Sequence, residues 1–409
     1  MTSVEKIRQE FPELGEQVYG KPLVYLDNAA TSQRPRSVIR KWTEMSEKYN
    51  ANLHRAVHHI ADLATNEYEA TRDAVRDYLN ASSREEIIFT SGATAAINLV
   101  AFSFGEAFIH AGDEIIVSEA EHHSDIVPWQ MLCGRKGATL KVLPVDDAGR
   151  LCLEALPALL TPRTRLLCVA HISNVLGLVN PVKDIVNICH SNNCAVLVDG
   201  AQGIVHQRVD VRELGCDFYV FSGHKVYAAP GTGVLYGRRE LLEQMPPYMG
   251  GGEMIGTVRW SGTTYAPLPQ KFEAGTQNLA GTPTLRPALE MASTMRESGA
   301  EVELDKVKSF VLNQLQEDSR ICLFGVPALS EEKIPLFSFS VEHCHHEDLA
   351  LILDKMGIAV RSGQMCAEPL MDRMGVTGML RASFAPYNTL AEAEFFIKSL
   401  DRAVKMLVG

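Results

Sequence analysis

Seven short apolar runs, separated by polar and helical stretches, restrict the fold of this chain more than any other feature of its sequence. They lie at residues 87–89, 114–117, 139–145, 165–171, 195–198, 218–221 and 233–236. Segments such as 155–160 and 182–189 have helical spacing between some of these runs. Nearly continuous apolar strands that alternate with helices are typical of a parallel sheet buried on both faces. We therefore predict an α/β fold with a large, mostly parallel seven-stranded sheet.

The pattern changes beyond residue 285, where helices alternate with a few short strands. Helical spacing is seen at 287–297, 301–317 and 346–356, and strand-like runs lie at 336–341, 359–361 and 381–384. This mixture predicts a smaller α+β domain over residues 286–409. We expect it to follow a large domain over residues 20–285, with an N-terminal segment, 1–19, that packs with the small domain.

The last helix of the small domain has a predicted start and a predicted buried face. Thr389 and Glu392 have the spacing of a capping box, which marks a helix N-terminus. Four apolar residues follow at helical spacing and are expected to face inward: Phe396, Leu400, Ala403 and Leu407.

Charge and hydropathy exclude several classes of function. The net charge of −11 and the lack of a basic run argue against a nucleic-acid partner, because phosphate binding requires a basic surface. No stretch approaches the roughly 18 apolar residues that a membrane span needs, and the first residues lack a signal-peptide core. The nine cysteines are scattered without a C-x-x-C pair, which is typical of reduced thiols. We expect a cytoplasmic enzyme with no membrane partner.

Lys225 follows one of the apolar runs directly. The run 218–221 leads into the tight polar turn SGHK at 222–225, so a buried strand delivers this lysine to its end. A lone lysine at a strand end is usually a solvated surface charge. In a dry cleft, however, its amine loses its proton more readily and condenses with carbonyl compounds, as in enzymes that use pyridoxal 5′-phosphate (PLP).

Asp199 ends a second apolar run in the same manner. The run 195–198 leads into DGAQ at 199–202, which delivers a carboxylate to the carboxyl end of a strand. Active sites of open α/β sheets lie at these carboxyl ends. A PLP site needs an acidic partner for the pyridine nitrogen beside its lysine. Together, Lys225 and Asp199 favour a catalytic function over a surface charge.

Two other turns follow strands at the same edge of the predicted sheet. The turn SGAT at 91–94 opens a helix, so its free N–H groups and the helix dipole form an anion site, although many such turns look alike. His122 and His123 follow the run 114–117. From spacing alone, such a histidine either carries a proton in the site or caps a helix, and both interpretations remain open at this point.

The motifs DGAQ and SGHK, with YLDNAAT at 25–31 and RSGQMC at 361–366, resemble the fold-type I PLP enzymes of the class V aminotransferase family. More closely, they are similar to the group II, or SufS-type, cysteine desulfurases, and the resemblance runs through most of the chain. It implies conversion of L-cysteine to L-alanine, with a persulfide left on the enzyme as a sulfur source for iron–sulfur cluster assembly. L-selenocysteine is a second substrate that the resemblance implies.

The resemblance also implies how matching residues contact the cofactor. Lys225 is expected to carry PLP and to move the substrate α-proton, while Asp199 keeps the ring nitrogen protonated. The other expected contacts are His122 on the ring, Gln202 at the phenolic oxygen, and Thr94, Ser222 and His224 at the phosphate. Ala93 departs from the pattern, because some relatives have a hydroxyl there, which leaves one donor fewer.

The same resemblance assigns the substrate side of the site. Cys366 matches the nucleophile in the short loop RSGQMCAEPL of group II enzymes, where group I enzymes have a longer loop. Arg381 matches the arginine that binds the substrate carboxylate as a bidentate fork. Asn174 and Ala29 match residues that line the substrate pocket. Arg361, or the substrate complex itself, is expected to stabilise the Cys366 thiolate.

The resemblance implies protein partners as well. A homodimer is expected, in which Thr276 reaches the phosphate site of the partner subunit, and the acceptor of the sulfur is expected to be a protein of the SufE or SufU type. The histidine-rich stretches 54–59 and 343–346 lack the spaced second pair of ligands that a closed metal site needs, so we assign no metal. The roles of His123, His54 and Arg55 stay open.

Two other functions compete with this interpretation. Another fold-type I enzyme, such as an aminotransferase or a kynureninase-like hydrolase, would need Lys225 and Asp199 but not Cys366. A non-catalytic sulfur carrier would use some of the nine cysteines and bind no PLP. The sequence leaves open the preference between cysteine and selenocysteine, the turnover rate and the identity of the acceptor.

Overall fold

A computed structural model describes residues 3–54, 57–326 and 332–408 of the chain. The α-helices span Ser3–Gln9, Arg36–Lys48, His59–Leu79, Ala93–Phe108, Val127–Lys136, Leu156–Leu159, Val182–His190, Gly203–His206, Val211–Leu214, Arg239–Gln244, Leu285–Glu297, Ala300–Glu317, His346–Lys355, Glu368–Met374 and Leu390–Val408. Short 3-10 turns occupy Pro12–Gly15, Arg84–Glu86, His123–Asp125, Leu153–Ala155, Gly223–Lys225, Gln270–Phe272 and Thr282–Thr284. No helix in the described part of the chain has the length and apolar character of a membrane span.

A seven-stranded sheet, the large sheet, forms the centre of the molecule. Its strands in spatial order are Ile87–Thr90, Gly233–Gly237, Phe218–Ser222, Ala195–Asp199, Thr164–Ala170, Glu114–Ser118 and Thr139–Leu143. Gly233–Gly237 runs antiparallel to both neighbours, and the other pairs are parallel. Each predicted apolar run forms one of these strands, so the predicted mostly parallel sheet is confirmed.

Helices cover both faces of the large sheet, which explains why its strands are apolar without alternation. In the strand Phe218–Ser222, Tyr219 and Phe221 pack in the core that contains helix His59–Leu79. Phe218 and Val220 point the other way, into the core that contains helix Ala93–Phe108. Because neither face meets water, a polar residue on either side would be buried without a partner.

A second, antiparallel sheet, the small sheet, lies in the C-terminal part. Its strands in spatial order are Ile321–Phe324, Leu336–Val341, Met379–Ser383 and Arg361–Gly363. The first of these was not predicted, and the run expected at 359–361 divides between Ile358–Ala359 and Arg361–Gly363. The polar hairpin of Ile255–Arg259 and Gly262–Tyr265 was not predicted either.

The final helix begins as expected but is buried over less of its length. Thr389 N–H donates to Glu392 Oε2 at 2.9 Å, and Glu392 N–H donates to Thr389 Oγ1 at 3.2 Å, so the capping box is present. The prediction that Leu407 faces inward is wrong, since its side chain is 38% exposed. The helix extends past the core beneath it, in which its last buried member is Val404.

The N-terminal residues pack on the C-terminal part of the chain. Strand Val24–Tyr25 pairs in parallel with Ile358–Ala359, and a further bridge joins Asp27 to Ser383. This pairing brings the turn after Tyr25 beside the strand that carries Arg381. The two strands Gln17–Val18 and Lys21–Pro22 form a small hairpin before it. The domain boundaries at residues 19/20 and 285/286 stay a prediction.

Candidate active site

A cavity of about 210 Å³ lies where the carboxyl ends of the parallel strands of the large sheet meet the small sheet. Every predicted site residue except Thr276 lines it: Ala29, Ala93, Thr94, His122, Asn174, Asp199, Gln202, Ser222, His224, Lys225, Arg361, Cys366 and Arg381. The large sheet supplies one wall, and strand Met379–Ser383 with the adjacent loop supplies the other. The structure therefore brings the lysine and the cysteine expected from the sequence into one site.

Lys225 and Asp199 form the charged floor of this cavity. Burial lowers the pKa of Lys225 and raises the pKa of Asp199, and each opposes the other's shift through its charge. Asp199 Oδ1 also accepts the Ala201 N–H at 2.8 Å, which fixes the carboxylate in the turn. A lysine in this environment loses its proton more readily than a surface lysine, as a nucleophilic or proton-transferring amine requires.

The anion site predicted at the start of a helix lies in the same cavity. Helix Ala93–Phe108 begins there, and the Ala93 N–H donates to Ser222 Oγ at 2.8 Å. Gly92 has a φ of 154°, which disfavours any residue with a side chain, and a Cβ added there would meet Ser222 Oγ at 3.3 Å. Backbone and hydroxyl groups therefore approach closely enough to form a cradle for a phosphate.

His122 stands above this floor as a neutral imidazole. Its Nδ1 accepts the Ser124 N–H at 3.0 Å, so the proton of the neutral ring lies on Nε2. Burial and then the charge of Lys225 lower the pKa of His122 to about 4. The ring is therefore uncharged near neutral pH, which suits stacking on an aromatic cofactor and donation from Nε2.

Two buried carboxyl groups lie behind Asp199. Glu121 Oε1 accepts from Ser118 Oγ at 2.5 Å and from the Ala170 N–H at 3.0 Å. Asp125 Oδ1 accepts from the Trp129 indole N–H at 2.9 Å. Burial raises the pKa of Glu121 to about 7 and raises the pKa of Asp125 well above its usual range, so the pair is at least partly protonated at neutral pH.

Arg381 occupies the opposite wall. Its Nη1 donates to the Asn174 carbonyl at 2.8 Å and its Nη2 donates to Asp27 Oδ1 at 3.2 Å. Arg361 Nη1 lies 3.6 Å from Asp27 Oδ2, so one carboxylate connects both arginines. Burial lowers the pKa of Arg381 and raises that of Asp27, which shows that desolvation outweighs the attraction within this pair.

The loop that carries Cys366 closes the mouth of the cavity. The Cys366 thiol belongs to an exposed residue, as accessibility for a nucleophile requires. Met365 and Cys366 have φ values of 54° and 56°, a left-handed conformation that costs residues with side chains roughly 1 kcal/mol each. Asn174 Nδ2 donates to the Met365 carbonyl at 2.9 Å, which is one of the bonds that hold this conformation.

The residues present fit PLP. The buried lysine, the buried carboxylate and the anion cradle match the aldehyde, the ring nitrogen and the phosphate of that cofactor. In addition, the Arg381 Nε is buried without a hydrogen-bond partner. The wall that the small sheet supplies therefore retains a donor for an anionic substrate group. Gln202 Nε2 donates to the Ala29 carbonyl at 2.8 Å, which holds its amide at the edge of the cavity.

Other residues considered from the sequence lie elsewhere. Thr276 lines a second cavity of about 320 Å³, together with Tyr248 and Glu273. His54 lies outside the active-site cavity, with its Nε2 at 3.1 Å from Glu69 Oε1. Arg55 falls outside the described residues.

Sequence reasoning missed the contributions of Asp27, Ser124 and Asp125. Asp27 belongs to the quoted motif YLDNAAT, yet nothing in that motif indicates that its carboxylate would reach Arg381. Ser124 and Asp125 follow His122 in the same turn, and their polarity was the available signal. Polar residues that follow a strand at the catalytic edge are candidates for this kind of supporting contact.

Comparisons with known proteins agree with this geometry. Residues 24–396 match the family model described as aminotransferase class-V. The cysteine desulfurase of Klebsiella pneumoniae (strain 342) is 46% identical over 406 residues, covering 99% of both chains. The crystal structure of the Escherichia coli cysteine desulfurase CsdA is similar throughout (39% identity, 99% of both chains, TM-score 0.91). So is the apo structure of a cysteine desulfurase from Thermococcus onnurineus NA1 (35% identity, 98% of both chains, TM-score 0.92).

The large sheet and the lysine–aspartate floor define a fold-type I PLP enzyme. The chain belongs to the class V aminotransferase family and, within it, to the cysteine desulfurases. The resemblance to the cysteine desulfurases of the class V aminotransferase family and the PLP dependence that it implied are thereby confirmed.

Proposed function

We propose that this enzyme removes sulfur from L-cysteine, using Cys366 as the nucleophile and Lys225 as the group that moves the substrate α-proton. The observation that carries the proposal is the meeting of a buried lysine, a buried aspartate and an exposed thiol in one cavity. Relatives named cysteine desulfurase at 43–46% identity over the whole chain support it.

PLP supplies a carbonyl for the substrate amine and an electron sink for the carbon framework when it is bound. Asp199 would hold the ring-nitrogen proton at the floor, and the start of helix Ala93–Phe108, with Thr94, Ser222 and His224, would bind the phosphate. Burial lowers the pKa of Lys225, so its amine is available to take and return a proton. Neutral His122 lines the site and can donate a hydrogen bond from Nε2.

Cys366 carries out the step that separates this reaction from other PLP chemistry. Its thiolate attacks the substrate Sγ, a new S–S bond forms, and the substrate Cβ–Sγ bond breaks. The electron pair of that bond stays with the carbon framework, which protonation converts to L-alanine. Cys366 keeps the transferred sulfur atom as a persulfide, so L-cysteine and one thiol give L-alanine and one persulfide.

Arg381 binds the substrate carboxylate on the opposite wall. Its fixed contacts to Asp27 and Asn174 leave the buried Nε free to donate, which orients the substrate amine towards the floor. Arg361 lines the cavity with Cys366 and stabilises the negative charge of the Cys366 thiolate that attacks the substrate sulfur. Ala29 limits the width of the pocket, because it stands where the chain turns after strand Val24–Tyr25.

The finer parts of the proposal concern subtype and partners. The short nucleophile loop supports the group II, SufS-type assignment, with L-selenocysteine as a further substrate and iron–sulfur cluster assembly as the destination of the sulfur. We also propose an acceptor protein of the SufE or SufU type and a cytoplasmic location. In a homodimer, Thr276 would serve the phosphate site of the partner subunit, which the cavity around it supports.

The test measures L-alanine formed from L-cysteine by the PLP-loaded enzyme with excess reductant and an acceptor protein. We expect Cys366→Ala to abolish alanine formation while PLP binding is retained. Cys322→Ala is the matched control, because Cys322 is also exposed but does not line the cavity. Alanine formation by Cys366→Ala would show that another thiol is the nucleophile. No alanine from either enzyme would return the case to an aminotransferase or hydrolase, and a chain that binds no PLP would favour a sulfur carrier.

A further inference from the structure

Asn174 and His123 make three hydrogen bonds to the nucleophile loop, defined here as residues 364–368. The Asn174 amide donates to the Met365 carbonyl at 2.9 Å. The His123 N–H donates to the Cys366 carbonyl at 2.7 Å. The Glu368 N–H donates to His123 Nε2 at 2.9 Å. Two of the three bonds therefore involve His123, both on the C-terminal side of the Cys366 Cα, while the Asn174 bond lies on the N-terminal side.

His123 adjoins the residue that faces the cofactor. His122 lines the cavity, so a single peptide bond separates the ring that covers the site from the residue that holds the thiol loop. The His123 ring accepts the first N–H of helix Glu368–Met374, a group that has no partner inside the helix. The two bonds of His123 attach the nucleophile loop to the segment that follows a strand of the large sheet. The left-handed backbone at Met365 and Cys366 provides no such attachment by itself.

The loop needs such support because its conformation is unfavourable on its own. Met365 and Cys366 are both left-handed without being glycine, and this backbone persists where surrounding contacts determine it. Removing one contact shifts the balance towards conformations in which Sγ no longer points to the bound substrate. A nucleophile displaced by about 1 Å loses much of its rate.

We propose that His123 is a positioning residue, whose ring holds the nucleophile loop so that Cys366 is presented to the substrate sulfur. The inference rests on the proposed sulfur abstraction by Cys366. It assigns no contact with substrate or cofactor to His123. Loss of the ring bond should therefore lower the rate of the chemical step without changing how substrate or PLP binds.

The first test measures the hydrogen bond between the Glu368 N–H and His123 Nε2, in the PLP-loaded enzyme without substrate. Deuterium exchange of a peptide covering residues 364–371 reports the Glu368 amide. We expect His123→Ala to accelerate that exchange about fivefold, as the loss of one hydrogen bond predicts. His123→Gln should restore protection, because its side-chain oxygen can accept in place of Nε2. His345→Ala is the control, since His345 likewise accepts an N–H, that of Glu347, outside the cavity.

The second test reads the consequence for catalysis. His123→Ala should lower kcat for L-alanine formation about fivefold, with KM and the absorption band of bound PLP unchanged, and His123→Gln should recover it. Unchanged exchange in His123→Ala, equal loss in both variants, or an altered PLP band would overturn the inference. If the native enzyme forms no alanine, the proposed function fails, whereas the exchange experiment still decides whether His123 holds the loop.

Discussion

Arg381 donates to Asp27 at 3.2 Å across 354 residues of sequence, and this bond leaves the buried Nε of the guanidinium unpaired. Both Nη atoms are thus anchored, Nη1 by the Asn174 carbonyl and Nη2 by Asp27, and Nε remains to bind the substrate. We expect Arg381→Lys to raise KM for L-cysteine about tenfold or more, because lysine keeps the charge but loses the planar pair of donors. Steady-state kinetics over a range of L-cysteine concentrations measures this change.

A control separates the fork from a general effect of losing an arginine. Arg320→Lys should leave KM unchanged, since Arg320 pairs with Asp318 and Asp401 outside the cavity. An unaltered KM in Arg381→Lys would show that the substrate carboxylate binds elsewhere.

His122 is expected to be neutral throughout the working range of the enzyme. Its pKa is lowered to about 4, so the ring takes a proton only as the pH falls towards 4. We expect His122→Ala to lower kcat about tenfold, as loss of a buried hydrogen-bond donor predicts, without changing the shape of the pH profile between pH 6 and 9. Disappearance of a titration near pH 6.5 in the variant would contradict this assignment.

The buried pair of Arg72 and Glu273 joins the second cavity to the large sheet. Their side chains make two bonds of 2.7 and 2.9 Å, and Glu273 also accepts the Phe89 N–H at 2.7 Å. Glu273→Ala leaves the guanidinium short of a partner, so we expect the free energy of unfolding to fall by about 3 kcal/mol. Urea unfolding of the variant measures the difference.

A surface pair provides the matched control for this measurement. Arg239 and Glu243 are 2.8 Å apart, but both side chains are about half exposed, at 51% and 54%. Glu243→Ala should therefore change the free energy of unfolding by less than about 1 kcal/mol. If Glu273→Ala and Glu243→Ala lowered the free energy of unfolding equally, the buried pair of Arg72 and Glu273 would stabilise the fold no more than the exposed pair does.

Lys333 should make stability depend on alkaline pH. Burial lowers its pKa from 10.5 to about 7, while its Nζ donates to the Leu176 carbonyl. Between these two values the unfolded chain binds the proton more tightly than the folded one, so this residue makes stability rise with pH. We expect Lys333→Met to remove that rise, measured as Tm from pH 7 to pH 10.

The exposed Lys398 serves as the comparison for Lys333. Its side chain is 78% exposed, so Lys398→Met should leave the slope of Tm against pH unchanged. Parallel curves for the native enzyme and Lys333→Met would show that Lys333 keeps an ordinary pKa in the folded state.

The large sheet could be predicted because each of its strands carries its signal locally. A run such as 218–221 is apolar at every position, since both faces of the strand are covered by helices. Strand Ile321–Phe324 was missed because it lies at the edge of its sheet and is only partly buried. The hairpin after Ile255 is largely exposed and polar, so its sequence is indistinguishable from that of a loop.

The catalytic residues, too, could be predicted where their signal is local in the sequence and were missed where it is not. Lys225 and Asp199 end parallel strands, and sheet topology alone places such residues at one edge. Cys366 could be identified as the nucleophile only through the family motif, because a cysteine after a glycine-containing loop has many other uses. The contact of Asp27 with Arg381 depends on the packing of the two ends of the chain, which no local pattern encodes. The hydrogen bond between His123 and the nucleophile loop depends in the same way on two turns that are far apart in sequence.

The pairing of Val24–Tyr25 with Ile358–Ala359 also sets an order of events during synthesis. The large sheet is complete once residue 237 has left the ribosome, so the lysine and the aspartate can be in place while the last two-fifths of the chain is still being made. The segment at Val24–Tyr25 must wait until its partner strand in that later part has been made. The thiol therefore joins its site near the end of translation, when the wall that confines the substrate is assembled around it.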